Sequence, residues 1–226
     1  MVNEVSKIAQ AQTTGAPTTK TAKKAEQKVQ IFEGMTVKDV EKNGSEAQKI
    51  VAKAFDNTGV KPTKENNYNG GDGKYSKKEA ENFNNYQFSL DKNKRELKAY
   101  NKKTGCTCTI KYNNLDELKE NAALLKQAGH LKGGKIVFDF RNRTALYDGV
   151  SGGMLNVGSR GADKITIRNS DIRNISGAYF KGTLVLDNVK EMGMIWDSPT
   201  KVLLGEEATI KTDSNSKIEI RRYSHK

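Results

Sequence analysis

The sequence predicts an α+β N-terminal part, made of a helix-loop-helix, an antiparallel meander and a covering helix, followed by a mainly β, solenoid-like C-terminal part. Three observations carry this. Ala47, Ile50, Val51, Ala54 and Phe55 recur at helical spacing behind Ser45-Glu46-Ala47-Gln48, an S-x-x-Q capping signature. From Tyr86 the apolar period changes to two, as half-buried strands require. From Gly133 the chain becomes short strands separated by Gly, Asn and Ser, with starts at Ile165, Leu184 and Val202. Their step of about 18–19 residues suits a stacked parallel β coil. The boundaries expected are 1–28 for a disordered basic tail, 29–132 for the α+β domain and 133–226 for the β stack.

Residues 1–28 are rich in Thr, Ala, Gln and Lys, too poor in apolar groups to offset the entropy of ordering them. Val29 to Val40 reads as a short apolar lead-in. A first helix then spans about 46–55, and Ser76 with Glu79 caps a second that runs to about Asn84, with Ala80 and Phe83 facing inward. Three strands follow: Tyr86, Phe88 and Leu90 alternate on the first, 96–100 forms the second, and Cys106, Cys108 and Ile110 alternate on the third. Asn114 caps a helix whose Leu115, Leu118, Ala122 and Leu125 share one face, with Gly129 as its stop. Cys106 and Cys108 are the only cysteines, with no nearby His to complete a metal site, so they read as reduced packing residues.

The sharpest chemical signal lies between the first two helices. With Val60 to Gly71 lifted out as an insertion, the remainder reads D-N-T-G-D-G-K-Y-S-K-K-E, from Asp56 to Glu79. It resembles the EF-hand calcium loop. The resemblance implies Asp56 at the first ligand position, Thr58 at the third, Asp72 at the fifth, the backbone carbonyl of Lys74 at the seventh, Ser76 at the ninth and Glu79 as the closing bidentate ligand. Gly73 suits the sharp turn. Thr58 departs from the usual acidic or amide group and Tyr75 from the usual branched aliphatic. With two or three carboxylates the expected affinity is weak, about 10⁻⁴ to 10⁻³ M. A metal-free reading accounts for part of the motif: Ser76 and Glu79 as a capping box, and Gly70-Gly71-Asp72-Gly73 as a turn.

In the C-terminal part three runs share an apolar-x-apolar-x-Asn frame, ending in Asn142, Asn169 and Asn188. Over about Gly133 to Arg222 the pattern resembles right-handed β-helix solenoids, in which asparagines at the turn stack in a ladder; Asn169 and Asn188 stand where such a ladder would place them. The alternation by itself also admits a β-sandwich or open sheet. Among large β-helix proteins are lyases and hydrolases of acidic polysaccharides. That makes Asp171, Arg173, Asp187 and Lys190 the enzymatic alternative. No Ser/His/Asp order, phosphate loop or zinc spacing accompanies them, and His130 and His225 are isolated.

Composition narrows the function classes. The 226 residues carry 39 basic and 27 acidic side chains, a formal charge of +12, which draws anionic partners. Lys20 to Lys28 and Lys92 to Lys103, with Tyr100 interleaved, are the segments a polyanion or nucleic acid would meet, without a recognition signature. No run approaches the ~18 apolar residues of a membrane span, and no signal peptide is evident at Met1. The expectation is a cytoplasmic protein or one exported by a non-classical route, such as an effector or surface protein addressed by its N-terminus. The function expected is non-enzymatic: calcium clips the two helices, and the β stack binds a glycan or protein partner.

Overall fold

The computed structural model describes residues 29–56, 74–158, 161–192 and 199–223. The chain forms helices α1 (Val37–Asn43), α2 (Glu46–Ala52), α3 (Lys77–Asn84) and α4 (Leu115–Asn121). Its strands are β1 (Tyr86–Asp91), β2 (Glu96–Asn101), β3 (Thr107–Lys111), β4 (Lys135–Asp139), β5 (Thr144–Asp148), β6 (Ser151–Asn156), β7 (Lys164–Gly177), β8 (Thr183–Lys190), β9 (Thr200–Gly205), β10 (Thr209–Thr212) and β11 (Ile218–Tyr223). The architecture is α+β and mainly β, with the strands joined in one 11-stranded sheet. No helix among the described residues is long and apolar enough to cross a membrane.

Each short helix begins where a side chain replaces the missing backbone partner. Ser45 accepts from the Gln48 N–H while Gln48 accepts from the Ser45 N–H, and Ser76 and Glu79 repeat the exchange. The expected helix over 46–55 tightens after Ala52 into a 3-10 segment, Lys53–Phe55. The covering helix behaves alike: α4 ends at Asn121 and a 3-10 segment, Ala122–Gly129, carries Leu124, Leu125 and Ala128 into the core above β2 and β3. Instead of a featureless lead-in, the stretch before residue 44 holds α1, which starts on a Thr36/Asp39 capping box.

The meander β1-β2-β3 is antiparallel, as its turns predict. Beyond it the sheet continues across residue 133 through a parallel pairing of β3 with β4, followed by the antiparallel hairpin β4-β5. From β5 on, the named strands pair in parallel with those that follow, and the chain alternates between two columns. One holds β5, the first half of β7, β8 and β10; the other holds β6, the second half of β7, β9 and β11. Where β7 and β8 leave the first column, Asn169 and Asn188 adopt left-handed φ of 49° and 52°, a conformation asparagine tolerates better than most residues. Their side chains join: Asn188 Nδ2 donates to Asn169 Oδ1 at 3.0 Å, and Asn169 Nδ2 to Asp148 Oδ1 at 3.2 Å. The neighbouring rung is therefore Asp148; Asn142 instead lies in the β4-β5 turn, donating to Asp139.

The columns bury Ile165, Ile167, Leu184 and Leu186 on one side and Leu155, Ile172, Ile175, Val202 and Leu204 on the other, in a core continuous with that of the N-terminal part. Stacking is close enough at Gly182 that an added Cβ would overlap the Asp163 carbonyl oxygen.

Asp148 also takes hydrogen bonds from Arg168 at 2.9 Å and lies 3.4 Å from the Lys135 ammonium, and the Arg168 bond is the main cause holding its carboxyl below the ordinary aspartate range. A depressed folded value gives stability that is present above about pH 4 and is lost as pH falls through the folded value. Melts between about pH 5 and 3 should show Asp148→Asn less stable than wild type at the upper end, with a flatter acid limb. Parallel acid limbs would show that Asp148 is not a source of the acid sensitivity.

Candidate functional site

Each flank of the interrupted loop is fixed by the core. Before it, the 3-10 segment ends at Phe55, 2% exposed, and delivers a half-buried Asp56 in extended backbone. After it, Tyr75 is buried, and its hydroxyl donates to the Ala52 carbonyl at 2.9 Å, tying the far side of the loop to the end of α2. Burial raises the Tyr75 hydroxyl well above its ordinary range, and Asp56, Glu79 and Glu41 add to the rise. Lys74 is exposed and forms an antiparallel bridge with Thr36; Tyr75 N–H donates to Met35 O at 2.7 Å and Gly34 N–H to Tyr75 O at 2.9 Å.

Glu79 already has local work. One of its carboxylate oxygens accepts from the Ser76 N–H and from the Ser76 hydroxyl, both at 2.8 Å, while the Glu79 N–H donates to Ser76 Oγ at 3.3 Å. The Thr36/Asp39 pair across the bridge repeats this arrangement, with Asp39 Oδ2 accepting from the Thr36 N–H at 2.7 Å and the hydroxyl at 2.8 Å. Two capped helix starts therefore stand joined by backbone hydrogen bonds. The Thr36-x-x-Asp39 spacing marks the first, with Asp in the place usually held by Glu or Gln.

Of the six predicted ligands, Asp56, Lys74, Ser76 and Glu79 are brought to the flanks of the loop, whereas Thr58 and Asp72 lie outside the described residues. Among the described residues no three His, Cys, Asp or Glu side chains gather to hold a metal. Asp56 and Glu79 both add to the rise of the Tyr75 hydroxyl and both oppose the lowering of the Lys126 ammonium. Their hard oxygen donors are of the kind calcium takes.

Lys126 is the residue sequence spacing did not suggest. It belongs to the Ala122–Gly129 segment, and its ammonium lies 5.5 Å from the centroid of the Phe55 ring. Half-buried there, it is lowered from the ordinary lysine range by burial, an effect that Glu79 and Asp56 oppose. Its carbonyl accepts from the Tyr86 hydroxyl at 3.0 Å. Phe55 is the hub of this region: its ring meets Phe83, Tyr86 and Phe88 edge-on, with centroids 5.7, 4.8 and 5.4 Å away.

The residues of the enzymatic alternative lie on the adjacent strands β7 and β8. Asp171 and Lys190 are register partners on β7 and β8, and Arg173 is exposed further along β7, while Asp187 is aligned with Arg168. His130 caps the 3-10 segment, and His225 lies outside the described residues. Cys106 and Cys108 are buried free thiols; burial pushes Cys106 up to about 11 and Cys108 well above the ordinary thiol range. Both are thus held protonated in the core.

A second surface emerges from the strand register. Along β1-β2-β3-β4-β5-β7-β8-β10, the side opposite the core carries the aligned row Ser89, Lys98, Thr109, Val137, Leu146, Thr166, Val185 and Lys211. Val137, Leu146, Thr166 and Val185 at its centre are half-buried. Flanking rows carry Tyr100, Thr107, Lys135, Asp148, Arg168 and Asp187 on one side and Glu96, Lys111, Asp139, Thr144, Lys164 and Thr183 on the other. Many of these charges are paired, as in Glu96 with Lys98 and Lys111 and Asp148 with Lys135 and Arg168. No family model matches the chain, and no curated protein or solved structure matches it.

Proposed function

We propose that this is a non-enzymatic binding protein that presents the outer face of its sheet to a macromolecular partner, with calcium as a clip at the helix-loop-helix. The observation that carries the binding reading is the row Val137-Leu146-Thr166-Val185, an apolar and β-branched stripe between two charged rows. An apolar centre with a polar rim is the usual composition of a protein interface. A protein partner fits better than a glycan, because Tyr100 is the only aromatic residue in the three rows. In this reading the two columns of parallel strands are coils of a right-handed β-helix. Strand repeats of about 19 residues and the Asp148-Asn169-Asn188 ladder support that assignment.

The test pairs wild type with Leu146→Glu/Val185→Glu in affinity capture and on a glycan array, with melts to verify folding. A protein retained by wild type and lost by the double variant is the expected result. A glycan lost in the same way assigns the face to sugar, and equal capture by both proteins removes the face from function.

The calcium clip is supported by the order of oxygen donors along the motif, with Asp56 before the loop and Ser76 and Glu79 after it. Calcium at tenfold over its dissociation constant should stabilise the protein by about 1.4 kcal/mol, a few degrees in Tm. Glu79→Gln should abolish the shift. A wild-type Tm unmoved by millimolar calcium refutes the clip.

A further inference from the structure

We propose that the outer edge of β11 is a pairing surface for a second copy of this chain, joined antiparallel about a two-fold axis at Ile220. A core row ends in solvent there. Leu155, Ile175, Val202 and Ile220 are successive register partners on β6, β7, β9 and β11; the first three are at most 3% exposed, whereas Ile220 is 44% exposed. The other column ends alike, with Ile210 half-buried beside the buried Ile165 and Leu184. The opposite end of the row is closed: Lys132 and Ser151 exchange backbone hydrogen bonds at 2.9 Å, and Leu131 fills the space a Cβ on Gly152 would need. Among the described residues, β11 pairs with β9 alone. An apolar row cut off at an unpaired strand edge is a template for a further strand.

The register selects which strand fits. The Lys217 carbonyl accepts the Thr200 N–H at 3.2 Å, so Lys217, Glu219 and Arg221 turn their backbone groups towards β9, while Ile218, Ile220 and Arg222 turn theirs to the outer edge. Setting Ile220 against Ile220 of a second copy, antiparallel, brings all three outward-turned residues into hydrogen-bonded pairs, with Ile218 against Arg222 on either side. The intervening pair is Glu219 against Arg221, twice, at the closer spacing of non-hydrogen-bonded positions. These charges already pair within one copy, where Arg221 Nε donates to Glu219 at 2.8 Å, and two copies would close them into a ring of alternating sign. Moving the axis by one residue would set Glu219 against Glu219 or Arg221 against Arg221, which like-charge repulsion disfavours. Arg222 stands on the core side, yet its guanidinium donates to the Gly205 and Ala208 carbonyls of its own chain. Its stem is left to cover Ile218 of the second copy.

Light scattering and sedimentation of the full chain test this at physiological salt, where repulsion between two chains of charge +12 is screened beyond about 8 Å. One six-residue strand is a small contact beside the roughly 1,200 Å² of stable interfaces, so the mass is expected to rise from one chain toward two across about 1–100 µM. Ile220→Lys and Glu219→Arg should each weaken the dimer about tenfold, and Glu219→Arg/Arg221→Glu should restore it, because the exchange re-forms both cross-strand pairs. Leu146→Glu/Val185→Glu, in the other column, should dimerise as wild type does. Melts verify folding, and Glu219→Arg with its exchange variant decides the matter even where Ile220→Lys does not fold. A wild type that stays single to 100 µM overturns the proposal, as does mass climbing past two chains, since a two-fold pair closes on itself. A dimer indifferent to the β11 single variants, or lost with Leu146→Glu/Val185→Glu, places the contact elsewhere. A charge exchange that fails to restore what Glu219→Arg removes refutes the antiparallel register and the two-fold axis with it.

Discussion

Phe55→Ala is expected to destabilise the protein by about 3–5 kcal/mol, the cost of emptying a ring-sized site that neighbours cannot refill. Phe55 is 2% exposed and its ring is the shared partner of Phe83, Tyr86 and Phe88. Those three come from α3 and from β1 or its immediate start, so one truncation loosens the seam between the helix-loop-helix and the meander. For a chain of this size the loss corresponds to roughly 10 °C or more in Tm. The platform beneath the Lys126 ammonium goes with it. Phe55→Leu, which keeps most of the volume, should cost less than half as much. Thermal and urea melts of the two variants decide it, and an alanine variant within about 1 kcal/mol of wild type would show that the aromatic cluster does not hold the seam.

Gly182→Ala carries the other large effect, through crowding instead of a void. The new Cβ would run into the Asp163 carbonyl oxygen, and Phe180 Cζ would stand at 2.8 Å. That carbonyl is not free to retreat, because it accepts the Thr183 N–H at 2.9 Å where β8 joins β7, and the Gly182 carbonyl in turn accepts the Thr209 N–H at 3.0 Å. Relief requires the strands to part. Overpacking of this kind costs about 3 kcal/mol, seen as a lower urea midpoint. Gly153→Ala is the matched control: nothing lies within 4 Å of its added Cβ, and its stability should remain within about 0.5 kcal/mol of wild type. Equal midpoints for the two variants would mean that the stacked turns yield more than their hydrogen bonds imply.

Local rules made much of this fold legible, and its failures have local causes too. The Ser45 and Ser76 capping boxes and the alternation through Tyr86, Phe88 and Leu90 specify helices and strands within a few residues of themselves, and the structure follows them. Helix α1 escaped because it buries only Val40, too little for helical periodicity to register. Strand β5 escaped because its inward positions are Ala145 and Tyr147, a small residue and a polar-tipped one, which blur the alternation. The frame ending at Asn142 misled for another reason: β4 turns back antiparallel into β5, so the corner role passes to Asp148, outside that frame. At the candidate site, the order of Asp56, Ser76 and Glu79 along the chain indicated oxygen donors. That the ammonium of a lysine from the covering segment lies over Phe55, the residue before Asp56, depends on how that segment packs on the sheet, which no spacing within the loop encodes.

The parallel pairing of β3 with β4 also sets a timetable for biosynthesis. The meander can close as soon as β3 leaves the ribosome, but the other edge of β3 waits for β4, roughly thirty residues later. At a synthesis rate of about 5–20 residues per second, that interval is on the order of two to six seconds. During it, a nascent chain offers Cys108 and Ile110 on a half-paired strand, and α4 with the 3-10 segment after it is the cover that emerges next. The covering segment is thus positioned to act as a shield in time as well as in space.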